Sequence, residues 1–249
     1  MPVSASLLAA SAALRVASLD LCADEYLLLL ARPGEIASVS RLAQDPADSV
    51  LWRQARKYPA NRRGLESVIG TRPSLLLTMG GGGRATSLIA RRMRIRTIEL
   101  SYPASLYDVE TAIVRVATAL GDVRRADGWR GRLARLKAHP LPQRDAIFLS
   151  GGGASMTAGS LGAQWMALAG LRQRTLPNGR ATLELLATRP PSVLLRSTYR
   201  RAQPSLGQRW LDHPLARRSA ARTVETDGRP WTCSGPLMVA EIERLRALR

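Results

Sequence analysis

The chain has 249 residues, enough for one large domain or two lobes, and its 45% hydrophobic and 22% charged content excludes a disordered or collagen-like polypeptide. Two cysteines exclude a disulfide-dense scaffold, and two histidines far apart, His139 and His213, exclude a His-built metal centre. No apolar run approaches the roughly 20 residues of a membrane span, while a net charge of +18 comes from 37 basic residues that, apart from Lys57 and Lys137, are all arginine.

A basic chain can bind polyanions, but these arginines are scattered through every segment, with only short pairs such as Arg62-Arg63 and Arg200-Arg201. One Phe beside ten Trp and Tyr provides no base-stacking platform, so nucleic acid is not an expected partner. Compositional bias towards arginine is the reading the scatter favours, and contacts to an acidic ligand are the other.

The first 13 residues hold a short small-residue stretch, Ser6 to Ala13, in which Ala10-Ser11-Ala12 fits a cleavage pattern, though no basic residues precede it. Residues 1–13 are therefore read as a residual signal segment, with a loose amino terminus as the alternative. Leu14–Leu19 then predicts a strand, Asp24–Ala31 a helix closed by Pro33-Gly34, Ile36–Ser40 a strand, Leu75–Thr78 a buried strand and Arg96–Leu100 another. Leu106–Leu120 has helical spacing. Val123–Ala138 predicts a charged helix with one narrow stripe, Trp129, Leu133 and Leu136, ended by Pro140-Leu141-Pro142. The alternation restarts with a strand at Ala146–Ser150. The pattern is α/β: two Rossmann-like lobes with mostly parallel sheets, 14–122 and 140–249, joined by one long helix over 123–139.

The halves echo each other. Leu65-Glu66 through Pro73-Ser74-Leu75-Leu76-Leu77 matches Leu183-Glu184 through Pro191-Ser192-Val193-Leu194-Leu195, an offset of 118 (184 − 66 and 191 − 73). With these paired units, the segment Arg15–Glu25 and the closing Arg229-Pro230-Trp231-Thr232-Cys233-Ser234-Gly235-Pro236 in view, the chain resembles the class III substrate-binding proteins of ABC importers, the cobalamin- and ferric-siderophore-binding family with a helical backbone. The resemblance implies a periplasmic, monomeric, non-enzymatic protein without a cofactor. Such a protein captures an iron chelate (siderophore or haem-like) or a corrinoid between its lobes and delivers it to a transmembrane permease. It also implies that Glu66 and Glu184 dock into arginine pockets of that permease, a pairing that charge-assisted bonds would favour.

Competing chemistry rests on Gly80-Gly81-Gly82-Gly83-Arg84-Ala85, which satisfies G-x-G-x-x-A after a strand, with Glu99 ending the next strand 19 residues later (99 − 80). A Rossmann-type dinucleotide-binding enzyme is the alternative; the glycines lie after the third predicted strand and the second half reads as a duplicate, so a flat cleft wall is preferred. No serine stands in a nucleophilic constellation, so no catalytic residue is assigned. Cys22 and Cys233 admit three readings: a redox-sensitive pair across the cleft, soft ligands for a metal chelate, or two buried small side chains.

Ligands of parallel α/β sheets bind beyond the carboxyl ends of the strands. That rule selects Cys22, Arg41, Met79, Gly80, Arg84 and Tyr102 from the first half. From the second half it selects Met156, Tyr199, Arg200, Trp231 and Cys233. Arg41, Arg84 and Arg200 would supply positive potential, and Trp231, with Trp52 and Tyr199, a flat apolar face.

Overall fold

Among the described residues every pairing between the strands of the two sheets is parallel, in keeping with fully apolar runs such as Leu75-Leu76-Leu77, because a strand covered on both faces has no solvent side for polar residues. The computed structural model describes residues 14–80, 84–217 and 219–248; the expected signal segment, 1–13, and Gly81–Gly83 lie outside them. The first lobe runs β1 (Val16–Ser18), α1 (Leu21–Leu30), β2 (Ile36–Ser40), α2 (Trp52–Ala55), β3 (Ala60–Asn61), β4 (Leu75–Met79), α3 (Arg84–Arg92) and β5 (Arg96–Leu100), with sheet order β3-β2-β1-β4-β5. Then come α4 (Leu106–Ala119), a 3-10 turn at Val123–Ala126, and α5 (Asp127–Ala138). The second lobe runs β6 (Arg144–Leu149), α6 (Leu161–Leu168), β7 (Leu171–Gln173), α7 (Leu183–Thr188), β8 (Val193–Ser197), α8 (Leu206–Leu211), α9 (Pro214–Arg217), β9 (Arg222–Thr226), α10 (Gly228–Cys233) and α11 (Leu237–Ala247), with order β7-β6-β8-β9.

Short polar side chains set where helices begin. Asp20 Oδ1 accepts from Ala23 N at 2.9 Å, so α1 starts at Leu21, three residues before the expected Asp24. Asp122 accepts from Arg124 N and tightens the following turn, which is why the expected continuous helix from Val123 opens as a 3-10 turn before α5. The sequence echo has a topological counterpart: each repeated unit leads into the strand, β4 or β8, that pairs with the opening strand of its lobe on one side and with the edge strand on the other.

Alternation along the central strands builds three cores. Val16, Leu75 and Leu77 from the first sheet and Ala146, Phe148, Val193 and Leu195 from the second share one apolar cluster with Leu133, Leu136, Trp165 and Ile242. The opposite faces bury separate patches, Ala17, Leu76 and Ala90 in the first lobe and Ile147, Leu149 and Leu194 in the second. A core continuous through both lobes fuses them, since moving either sheet relative to the other would expose close-packed side chains.

Candidate functional site

In each sheet the chain reverses direction beside its opening strand, at β1/β4 in one and β6/β8 in the other, and crevices form at such points. In the first lobe Asp20 closes that point: its Oδ2 accepts from Thr78 Oγ1 at 3.0 Å and from Met79 N at 2.7 Å while Oδ1 caps α1. The anion position at the first β-to-α turn is thereby occupied by the protein's own carboxylate, which leaves no place for a dinucleotide pyrophosphate. The Rossmann-enzyme alternative fails on this point and on the placement of Gly80 after β4, the fourth strand in sequence.

Between the lobes lies a cavity of about 640 Å³ lined by Asp45, Pro46 and Ala47 of the first lobe and Thr198–Gln203, Asp227 and Arg229 of the second. This size falls within the roughly 300–1,000 Å³ of small-molecule sites. One wall is fixed by a buried carboxylate. Asp48, only 5% exposed, accepts from Tyr199 Oη at 2.8 Å, Arg200 Nη2 at 2.7 Å and Arg200 Nε at 3.2 Å. Arg200 takes a left-handed φ of 52°, costly for a residue with a Cβ and held here by these cross-lobe bonds. Burial and then the hydrogen bond to Asp48 push the Tyr199 phenol up.

Arg229 also lines the cavity; its Nη1 donates to Pro46 O at 2.8 Å and its Nη2 pairs with Asp227 at 2.6 Å. Although burial opposes it, Arg229 holds the Asp227 carboxyl below its usual range. Arg201 pairs with Glu225 at 3.0 Å. Each of the three cavity arginines is thus aimed by a carboxylate, so the cavity offers oriented N–H donors rather than free positive charge.

Of the residues selected from sequence, Tyr199 and Arg200 line this cavity. Gly80 and Tyr102 come together on the first lobe's rim. Gly80 has φ +74°, a Cβ there would lie 2.1 Å from the Tyr102 ring, and Tyr102 is 69% exposed. Arg41 is exposed at the start of a 3-10 turn and does not line the cavity. Arg84 begins α3, and its side chain lies outside the described residues.

Four expectations need correction. Met79 is buried in the shared core, because the strand continues one residue further than predicted and its side chain falls on the inner face. Met156 packs against that core with its sulfur over Gly162. Trp231 is buried too: its Nε1 donates to Thr226 Oγ1 at 2.7 Å and its ring centroid lies 5.1 Å from that of Phe148, so it offers no stacking face. Cys22 and Cys233 form a disulfide, Cα–Cα 5.3 Å, between the start of α1 and the end of α10, which agrees with the paired reading and removes the one in which they are free sulfur ligands for a metal chelate. Trp52, the remaining candidate ring, has the Arg53 and Arg56 guanidiniums 4.4 and 4.6 Å from its centroid and does not line the cavity.

Sequence reasoning missed Asp45–Asp48, Arg201, Gln203, Asp227 and Arg229. Asp227-Gly228-Arg229 follows the carboxyl end of β9, so the strand-end rule would have found it had β9 been predicted; the Asp45-Pro46 turn carries no pattern beyond its polarity.

The chain matches no protein-family model and no curated protein. Solved structures do share its architecture. A periplasmic haem-binding protein from Vibrio cholerae superposes with TM-score 0.71 at 17% identity, covering 94% of this chain and 98% of that one. A periplasmic haem-binding protein from Pseudomonas aeruginosa gives 0.68 at 19% identity, 94% and 91% covered. The periplasmic vitamin B12-binding protein of Vibrio cholerae gives 0.62 at 15% identity, 94% and 95% covered. In its two parallel sheets and the helices packed around them the chain accordingly shares the fold of these periplasmic haem-binding and vitamin B12-binding proteins.

Proposed function

We propose that the protein is an extracytoplasmic substrate-binding protein that takes up a haem-like group, a ferric siderophore or a corrinoid between its lobes and hands it to an ABC importer permease. The observation that carries this reading is the inter-lobe cavity with walls from both halves. The Cys22–Cys233 disulfide supports a location in an oxidising compartment. Ligand carboxylate or catecholate oxygens would meet the guanidinium edges of Arg200, Arg201 and Arg229, while Tyr102 over Gly80 offers the exposed ring that Trp231 does not. A thermal-shift titration with haem, ferric siderophores and cobalamins tests it: one class should raise stability by about 2–3 kcal/mol at a hundredfold excess over Kd. No shift with any of the three, alongside tight binding of NAD(H), would overturn the reading.

Glu66 and Glu184 are the proposed docking posts. Both are exposed, and each lies in a short helical segment that leads in sequence to a central strand. Glu66→Arg or Glu184→Arg should cut ligand uptake by roughly tenfold, the worth of about 1.4 kcal/mol of lost ion pairing, with ligand affinity unchanged. Uptake at the wild-type level in both variants would remove the assignment.

A further inference from the structure

The arginines of the cavity are all paired, but those on the outer face of the first lobe are not. Arg91, Arg92, Arg94 and Arg96, at the end of α3 and the start of β5, are exposed, and among the described residues none is in an ion pair. Three of them, Arg91, Arg94 and Arg96, surround a depression of about 410 Å³ together with Ser87, Thr97 and Glu99. The Thr97 hydroxyl oxygen is buried at this depression without a hydrogen-bond partner. Beside it α3 and its last turn expose three large apolar side chains, Leu88 (53%), Ile89 (48%) and Met93 (44%).

An isolated exposed leucine is ordinary; three together, interleaved with unpaired guanidiniums, make a basic amphipathic surface. Ala90, fully buried, anchors the helix on the face of the first sheet turned away from the shared core, so this surface is independent of the cleft. Guanidiniums with spare donors suit phosphate oxygens, and the apolar trio gives such a phosphate's acyl chains something to touch. Free phosphate would use only the first of these. We propose that the α3–β5 surface is a peripheral docking site for an anionic phospholipid membrane, with the lipid phosphate in the Arg91–Arg94–Arg96 depression and Leu88, Ile89 and Met93 at the acyl boundary. The net charge of +18 draws the chain to the surface from any side; the patch sets which face lands. On the proposed function such binding would hold the receptor near its permease, and it is weakened by salt.

Co-sedimentation of the full chain with equimolar phosphatidylglycerol–phosphatidylcholine vesicles tests this. Binding should be absent on phosphatidylcholine alone and should fall at least tenfold in the triple variant Arg91→Glu, Arg94→Glu, Arg96→Glu. Leu88→Ser with Ile89→Ser should weaken it several-fold. A control with the same change of net charge elsewhere, Arg62→Glu, Arg189→Glu, Arg217→Glu, should lose far less. Leu88→Trp gives a readout that leaves the charges alone: its fluorescence should be quenched by brominated acyl chains. Equal loss in patch and control variants, or no quenching, would overturn the proposal. Insensitivity to Leu88→Ser with Ile89→Ser, together with full competition by inorganic phosphate, would make it a free-anion site instead. Self-association abolished by the same variants would make it an interface between copies.

Discussion

Replacing Cys22 and Cys233 together by serine should destabilise the protein by about 2–5 kcal/mol, and reducing the wild-type chain should reproduce the loss. The bridge joins residues 211 apart, so in the unfolded chain it closes a very long loop and removes much of that ensemble's freedom. In the folded protein it ties the amino end of α1 to the carboxyl end of α10, between lobes already fused by one core. At this chain length each kcal/mol moves the melting temperature by about 2–4 °C, so thermal melts with and without reductant should differ by roughly 5–15 °C. The double variant should be indifferent to reductant. Coincident melts of oxidised and reduced wild-type protein would refute the expectation.

The second large effect is a dependence on pH centred on Glu25. Its carboxyl is 5% exposed and its Oε1 accepts from Leu237 N at 2.7 Å, across the lobe boundary at the start of α11. Burial pushes it up from 4.5 to about 8, against the pull of that hydrogen bond. Burial likewise raises Asp24 to about 7, although the Ser40 hydroxyl and amide donate to it. A carboxyl that keeps its proton longer in the folded state stabilises folding at low pH and loses that contribution as pH rises. Stability should therefore fall between about pH 4.5 and 8 by roughly 3–5 kcal/mol from Glu25 alone. Glu25→Gln keeps the acceptor for Leu237 N and cannot ionise. Denaturation midpoints of that variant should be higher than wild type at pH 8.5 and should lose about half of the slope, Asp24 supplying the remainder. A variant whose profile runs parallel to wild type would show that the carboxyl is not ionising in place.

The fold was legible where burial writes itself into composition. Leu75-Leu76-Leu77 and Ala146-Ile147-Phe148-Leu149 are central strands with a covered face on each side, and no polar alternation obscures them. β3, two residues long, and β7, three residues with exposed Arg172 at its centre, are edge strands held by register to a neighbour, a non-local cause that no window of sequence contains. The site was only half legible for a similar reason. Tyr199 and Arg200 were found because they follow a readable strand. Trp231 was misjudged because an aromatic residue near a cleft looks like a ligand plate until its indole N–H finds Thr226 inside. The pairing of each cavity arginine with its own carboxylate joins residues as far apart as Asp48 and Arg200, and spacing along the chain gives no hint of it.

Residues 233–246 reach back to α1, α5 and α6. Cys233 bonds Cys22 of α1, Ser234 O accepts from Trp165 of α6, Leu237 N meets Glu25, Glu243 pairs with Arg132 of α5, and Arg246 donates to Leu136 O and Leu168 O. A chain emerging from the ribosome, or threading through a membrane pore, carries its first helix long before this clasp exists. Completion must therefore wait until α10 and α11 have been made, with Cys22 an unprotected thiol and the helical face of the first lobe uncovered throughout that interval. Biogenesis of this protein is thus a matter of timing: whatever keeps the nascent chain soluble has to act until α11 has been released, and the two thiols can pair only once Cys233 has followed Cys22.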